Sequence, residues 1–490
     1  MKREPTRTAN LPLMRLLARR NLGRRYVSHA QSRPAPVVHC GICHLPRDRL
    51  EQASGPRIDC GQRWQLANEG CVMKRKIKLI LEAALFLALS FSVSAAEPNW
   101  VQLAQLTASD GQSKDAFGSS VSISGNTVVV GSTGDGAAYV FVKPVSGWTN
   151  MTQVAKLTPS DGQSKDAFGS SVAISGSTIV VGAPCATING NSCQGAAYVF
   201  VKPVSGWADM TETAKLTTSD GQTDDRTAET ISINGSTVVL GAPNKTVAGI
   251  GDAGEVYVYV KPSNGWIGTT ETTKFSASGN SRNESIRFGA SVALGGGVLV
   301  VGAPGYYVGF HNYGVVFVFV KADGGWRGTA SFTTRLQASK GTPGSDLGAA
   351  VAISSDGGTV VGGADDYPNP GRVLIFVQPS GGWPNAQLAE TATLKDGTFS
   401  ADEFGSTVAI SGSTVIIGAP NPPNLGAAYV FSKPPNGWIT THKYRSKLTA
   451  LNETADFQFG VSVAISGSTS VVGANGWSNG QGAAFVFGRE

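Results

Sequence analysis

The chain has 490 residues, 62 of them glycine, with 40 Lys/Arg against 34 Asp/Glu for a formal charge of +6. That charge is unevenly placed: 17 Lys/Arg and 6 Asp/Glu precede Glu97, leaving 23 against 28 beyond it, a net of about −5. The basic balance belongs to the leader, which excludes reading it as a nucleic-acid footprint on the folded part.

The leader holds four of the six cysteines, Cys40, Cys43, Cys60 and Cys71. Residues 40–44 read CGICH, the attachment pattern of a c-type haem. Haem attachment requires export, however, and this segment lies ahead of the export signal. Zinc is disfavoured because ten residues separate Cys60 from Cys71, a poor spacing for the second half of a site. No cofactor is expected.

Residues 73–96 carry every part of a secretory signal peptide. Lys74, Arg75, Lys76 and Lys78 make the basic start, Leu79 to Val93 the apolar run, and Val93-Ser94-Ala95 the small-residue end. Met73 stands where such a segment begins, so residues 1–72 read as an over-extended gene start or a disordered leader. The alternative is an uncleaved signal anchor, the one case that involves a membrane. The basic flank stays inside either way, so 97–490 is expected outside the cytoplasm, secreted or on the cell surface.

From Trp100 onward one pattern recurs, typified by FGSSVAISGSTIVVGAP, GAAYVFVKP and a Gly-Trp turn. A β-branched marker after each Phe-Gly falls at Val121, Val172, Ile231, Val292, Val351, Val408 and Val463. The steps between them are 51, 59, 61, 59, 57 and 55 residues, the period of a repeat architecture. Copy three has Thr227-Ala228 where others have Phe-Gly, and copy five has Leu347-Gly348. Within a copy, SVAIS alternates, STIVVGAP and AAYVFVKP are β-branched and aromatic runs, and a weaker TETAKL follows. The predicted fold is all-β: a seven-bladed propeller of four-stranded antiparallel blades spanning 97–490. Copy seven ends after its third strand, and a spare WVQLAQL at Trp100 to Leu106 matches the fourth-strand runs. The N-terminal strand at about 101–106 is therefore expected to close the ring and remove a bare sheet edge.

Most repeated residues have structural work to do. Phe168, Phe288, Phe404 and Phe459 are expected between neighbouring sheets, and the Gly-Ala-Pro glycines Gly182, Gly241, Gly302 and Gly418 near a crowded axis. Trp148, Trp207, Trp266, Trp326, Trp383 and Trp438 follow a turn glycine and are expected to pin the outer strand.

At Phe168-Gly169, Gly182-Ala183-Pro184 and Tyr198-Val199-Phe200 the chain resembles FG-GAP repeat proteins, over about residues 100–490. The resemblance is to the integrin α-subunit propeller and to bacterial secreted and surface proteins. It implies a seven-bladed propeller and extracellular binding or adhesion. The integrin-like Ca²⁺ loop D-x-D-x-D-G-x-x-D has no counterpart: its place holds SGST, NGST (Asn234 to Thr237), LGGG (Leu294 to Gly297) or SSDGGT (Ser354 to Thr359). None supplies the oxygen ligands Ca²⁺ takes, so no metal is expected there.

Catalysis is not expected. Beyond the leader the histidines are His311 and His442, too few for a Ser/His/Asp arrangement, and the S-x-D-x-G-x-x-W box of sialidase propellers is absent. The acidic pairs Asp110/Asp115 and Asp161/Asp166, with Asp402 and Glu403 similarly placed, are read as Asp-Gly turns in which the second Asp caps the loop. The candidate ligand-binding residues lie in the most aromatic loop: Tyr306, Tyr307, Phe310, His311 and Tyr313. Cys185 and Cys193 share one loop after Gly-Ala-Pro and are expected as a disulfide in an oxidising compartment. The expected partner is an extracellular protein or glycan. The alternatives are a propeller enzyme acting on polysaccharide or another extracellular substrate, and a structural module of an envelope assembly.

Overall fold

Six-residue β-branched and aromatic runs can be buried on both faces only in the middle of a sheet, and each copy has two of them. In the second copy these are Thr178–Ala183 and Ala196–Val201, buried throughout except at Val201. A computed structural model describes residues 99–489 apart from 164, 278–284, 310, 327–331, 342–343, 366–369, 398–402, 421–424 and 452–457. The readings of residues 1–72, of 73–96, of Phe310 and of Asp402 lie outside the described residues.

Seven antiparallel sheets of the same order follow one another. Blade 2 shows the unit: Val172–Ser175, Thr178–Ala183, Ala196–Val201 and Ala214–Leu216, each paired with the next. The first strands are Phe117–Ser124, Val172–Ser175, Thr230–Asn234, Ser291–Gly295, Ala350–Ile353, Thr407–Ser411 and Ser462–Ser466. Each touches the first strand of the next blade, and the last touches the first, so they form the inner ring around the axis.

The ring closes as expected. Trp100–Thr107 pairs antiparallel with Ala483–Arg489, Leu106 facing Ala484, and serves as the fourth strand of blade 7. This places the last and first segments of the propeller in one sheet.

Three details were not expected. The Gly-Ala-Pro glycines are crowded by the neighbouring blade's backbone rather than by the axis. A Cβ on Gly182 would lie 2.3 Å from the carbonyl oxygen of Ala228, and on Gly418 2.1 Å from that of Gly460; Gly473, in copy seven's Gly-Ala-Asn, is crowded in the same way by Gly118. Only glycine permits that approach. Copy three keeps the same backbone without glycine: Ala228 takes a φ of +68° where Gly169 has +91°.

The tryptophans face the preceding blade. Trp207 is buried in one cluster with Phe168 and with Ala155 and Leu157 of blade 1's fourth strand. The loops after Trp148, Trp207, Trp266, Trp383 and Trp438 also reach back: Met151–Thr152 pairs in parallel with Leu106–Thr107, and Ala386–Ala389 with Thr334–Gln337. Single bridges Leu157 to Met210, Leu216 to Thr269 and Leu394 to Thr441 repeat the arrangement. These latches cover the outer edges that would otherwise invite pairing with another chain.

Candidate binding face

Antiparallel strands put the loops between strands 2 and 3, and those entering strand 1, at one end of every blade. The tight turns lie at the other end. In blades 2, 3 and 4 the strand 2–3 loop grows into a small hairpin: Ile188 bridges Asn191, Val247 bridges Ile250, and Tyr307–Val308 pairs with His311–Asn312. The tips use left-handed residues, with φ of +52° and +88° at Asn189-Gly190 and +51° and +80° at Ala248-Gly249. Three neighbouring hairpins thus stand on one side of one face.

The aromatic loop divides between core and surface. Tyr306 is only 7% exposed, its ring packed on Phe317 at 5.6 Å and its hydroxyl accepting from Arg335 Nη1 at 3.2 Å. That ties it to the structural core of blade 4. Tyr313 lies half-buried with the Gly341 backbone against its ring. Tyr307 and His311 are exposed, and His311 stacks on Tyr313 with ring centroids 5.6 Å apart.

The acidic pairs split into two jobs. The second Asp caps its loop, as expected: Gln163 N donates to Asp166 Oδ2 at 2.8 Å and Gln222 N to Asp225 Oδ2 at 2.7 Å. The first Asp is held by a blade residue that sequence reasoning missed. Asp161 accepts from Tyr198 Oη at 3.0 Å and from Lys215 Nζ at 2.6 Å, with the ammonium 5.1 Å from the tyrosine ring centre. Asp110, Tyr139 and Lys156 repeat this in blade 1, and Asp220, Tyr257 and Lys274 in blade 3. Burial raises the Asp161 carboxyl, but the Lys215 ammonium and the Tyr198 hydroxyl outweigh it and hold it below the usual range. The same balance holds Asp110 and Asp220 low. The internal lysine is thus the cation of each acidic loop.

Blade 3 adds charges. Lys245, at the base of its hairpin, is 4% exposed and donates to Asp225 Oδ2 at 2.9 Å, while Glu255 Oε2 accepts from Lys274 Nζ at 3.2 Å. Burial pushes the Glu255 carboxyl up.

Cys185 and Cys193 lie side by side at the base of blade 2's hairpin, both half-buried and both free thiols. Burial and the neighbouring thiol push Cys185 up to about 11, against the pull of the Arg226 guanidinium beside it. Arg226 and Arg287 precede the first strands of blades 3 and 4 at the same repeat position and flank Glu229, at 3.6 Å and 3.7 Å.

The FG-GAP repeat family matches residues 100–141, 151–200, 210–259, 391–431 and 444–487. The chain is an FG-GAP β-propeller protein. Each matched region runs from a fourth strand or its latch through the third strand of the next blade, one strand out of phase with the sheets. In this FG-GAP propeller the same phase appears in the ring closure, where Trp100–Thr107 supplies the fourth strand of blade 7. Blade 4 and the first three strands of blade 5 fall outside the matched regions yet repeat the same sheet order. No curated protein matches the chain.

Proposed function

We propose that this FG-GAP propeller is an exported, non-enzymatic binding protein whose hairpin-bearing face engages an extracellular protein or glycan. The observation that carries the reading is the group of three neighbouring hairpins over blades 2, 3 and 4, with Tyr307 and His311 exposed. The opposite end carries the tight strand 1–2 turns and the Gly-Trp connections. A rigid scaffold with one set of enlarged loops is the usual way a fold presents a binding surface. Export rests on the signal-peptide pattern at 73–96, and adhesion on the family resemblance.

The test is to incubate purified chain with cell-surface, matrix and glycan preparations beside a Tyr307→Ser/His311→Ser variant. Binding that the double variant loses supports the reading. Binding that it retains in full moves the contact off this face.

A further inference from the structure

Arg226 and Arg287 lie on adjacent blades, each just before its Phe-Gly position, and each has a left-handed φ of +53°. Their side chains are 46% and 49% exposed, and the only carboxylate paired with either among the described residues is Glu229. The contacts of 3.6 Å and 3.7 Å exceed hydrogen-bonding distance, and Glu229 Oε2 is buried without a hydrogen-bond partner. Two guanidiniums thus face one paired carboxylate without satisfying it, with exposed Asp224 and Asp252 in the adjoining loops, on a propeller whose net charge is about −5. Guanidinium forks bind carboxylate and sulfate groups bidentately, and most of these N–H donors are uncommitted.

We propose that Arg226 and Arg287 form an anion-recognition site for the acid groups of a polysaccharide lying across blades 3 and 4. The proposal rests on the loop-face reading above and names its ligand class. A polymer is favoured over a small anion because the face continues past the arginines. The thiols beside Arg226 belong to blade 2, and exposed Tyr307 and His311 stand on blade 4, where a ring can stack on a sugar. Glu229 is the internal competitor that holds the guanidiniums apart from other partners until an acidic ligand replaces it.

The test is affinity electrophoresis of the full chain through gels containing polygalacturonate, dextran or poly-glutamate, at low and raised salt. Retardation by polygalacturonate alone, weakened by salt, is expected. Arg226→Gln/Arg287→Gln should weaken it at least tenfold, and Lys143→Gln/Lys202→Gln at the opposite end should not. Glu229→Gln should strengthen it severalfold, an outcome no folding defect would produce. No retardation, equal loss in both double variants, or equal retardation by poly-glutamate would overturn the proposal. If the chain binds another glycan or surface through Tyr307 and His311 but ignores polygalacturonate, the loop-face reading stands and the arginine site falls.

Discussion

The Ser462 hydroxyl donates to the carbonyl of Gly118 at 2.7 Å, although 344 residues separate them. It is the closing member of a ring of hydrogen bonds. Ser120 donates to Gly169, Ser171 to Ala228, Thr230 to Gly289, Ser291 to Gly348 and Thr407 to Gly460, all at 2.7 to 2.9 Å. Each bond runs from the start of one blade's inner strand to the Phe-Gly carbonyl of the next. Between blades 5 and 6 the donor is missing, because Ala350 stands where the hydroxyl would be, its Cβ beside Gly363 and near the Gly405 carbonyl.

Two substitutions test this ring. Ser462→Ala leaves a buried carbonyl without its donor and should cost about 1 kcal/mol in denaturant melts. Ala350→Ser installs the missing link and should gain up to about 1 kcal/mol, read against the same wild-type curve. A neutral Ser462→Ala would show that the seams are held by packing alone.

The glycine seam predicts a larger effect. Gly473→Ala puts a methyl 2.1 Å from the Gly118 carbonyl, where the obstacle is backbone and cannot rotate away. The loss should be about 3 kcal/mol or more. Gly125→Ala, at a turn where a Cβ meets nothing within 4 Å, is the control and should cost only the strain of its φ of +56°.

The fold could be read from the sequence because the signals for it are local. Alternation, β-branched runs and turn glycines recur at a fixed period, and the spare N-terminal run has no other place to go. The contacts that position the candidate face are not local. Lys215 sits in an AKL run that looks like a solvated edge, and its partner Asp161 is 54 residues away. Likewise Ser171 reads as an ordinary strand serine until the blade 57 residues on is placed beside it. Composition groups Tyr306 with its exposed neighbours. Its alignment with Ala186, buried at the same point of blade 2's hairpin, was the available signal that it belongs inside.

The acidic loops predict a pH dependence. Burial raises the Asp110, Asp161 and Asp220 carboxyls, but their lysine and tyrosine partners outweigh it and hold them below the usual aspartate range in the folded state. Their contribution is therefore present above the unfolded carboxyl range and lost as pH falls through the lower, folded values. Lys215→Met should destabilise at neutral pH by a few tenths to about 1 kcal/mol, since the pair is partly exposed. The gap between variant and wild type should shrink as the pH drops below about 4. A gap that stays constant down to acid unfolding would mean the lysine acts through packing on Tyr198 instead.

The same geometry predicts the response to metal. In blades 1, 2 and 3 the first Asp of the loop is committed to a lysine and the second to a backbone N–H, so among the described residues these pairs do not converge on an outside cation. Thermal melts with excess Ca²⁺ and with EDTA should therefore coincide. A ligand at about 100 times its dissociation constant would add about 2.7 kcal/mol, so a separation of the curves would be plain and would reinstate a metal site.

The paired thiols give the last prediction. Blade 3 builds the same hairpin with Asn244 and Asp252 at the corresponding positions, so the folded shape does not require a cross-link. Any gain from joining Cys185 to Cys193 must come from restricting the unfolded chain, and closing so short a loop is worth about 2.5 kcal/mol on the chain-entropy account. Because burial raises Cys185 to about 11, its thiolate is scarce at neutral pH and oxidation should be slow without a catalyst or raised pH. Protein recovered from an oxidising compartment should carry the disulfide in a non-reducing peptide map, and dithiothreitol should lower its melting temperature. Cys193→Ser should abolish that sensitivity while leaving the reduced melting temperature unchanged. Free thiols in oxidised, secreted protein would overturn the pairing and leave the two cysteines as packing residues under Arg226.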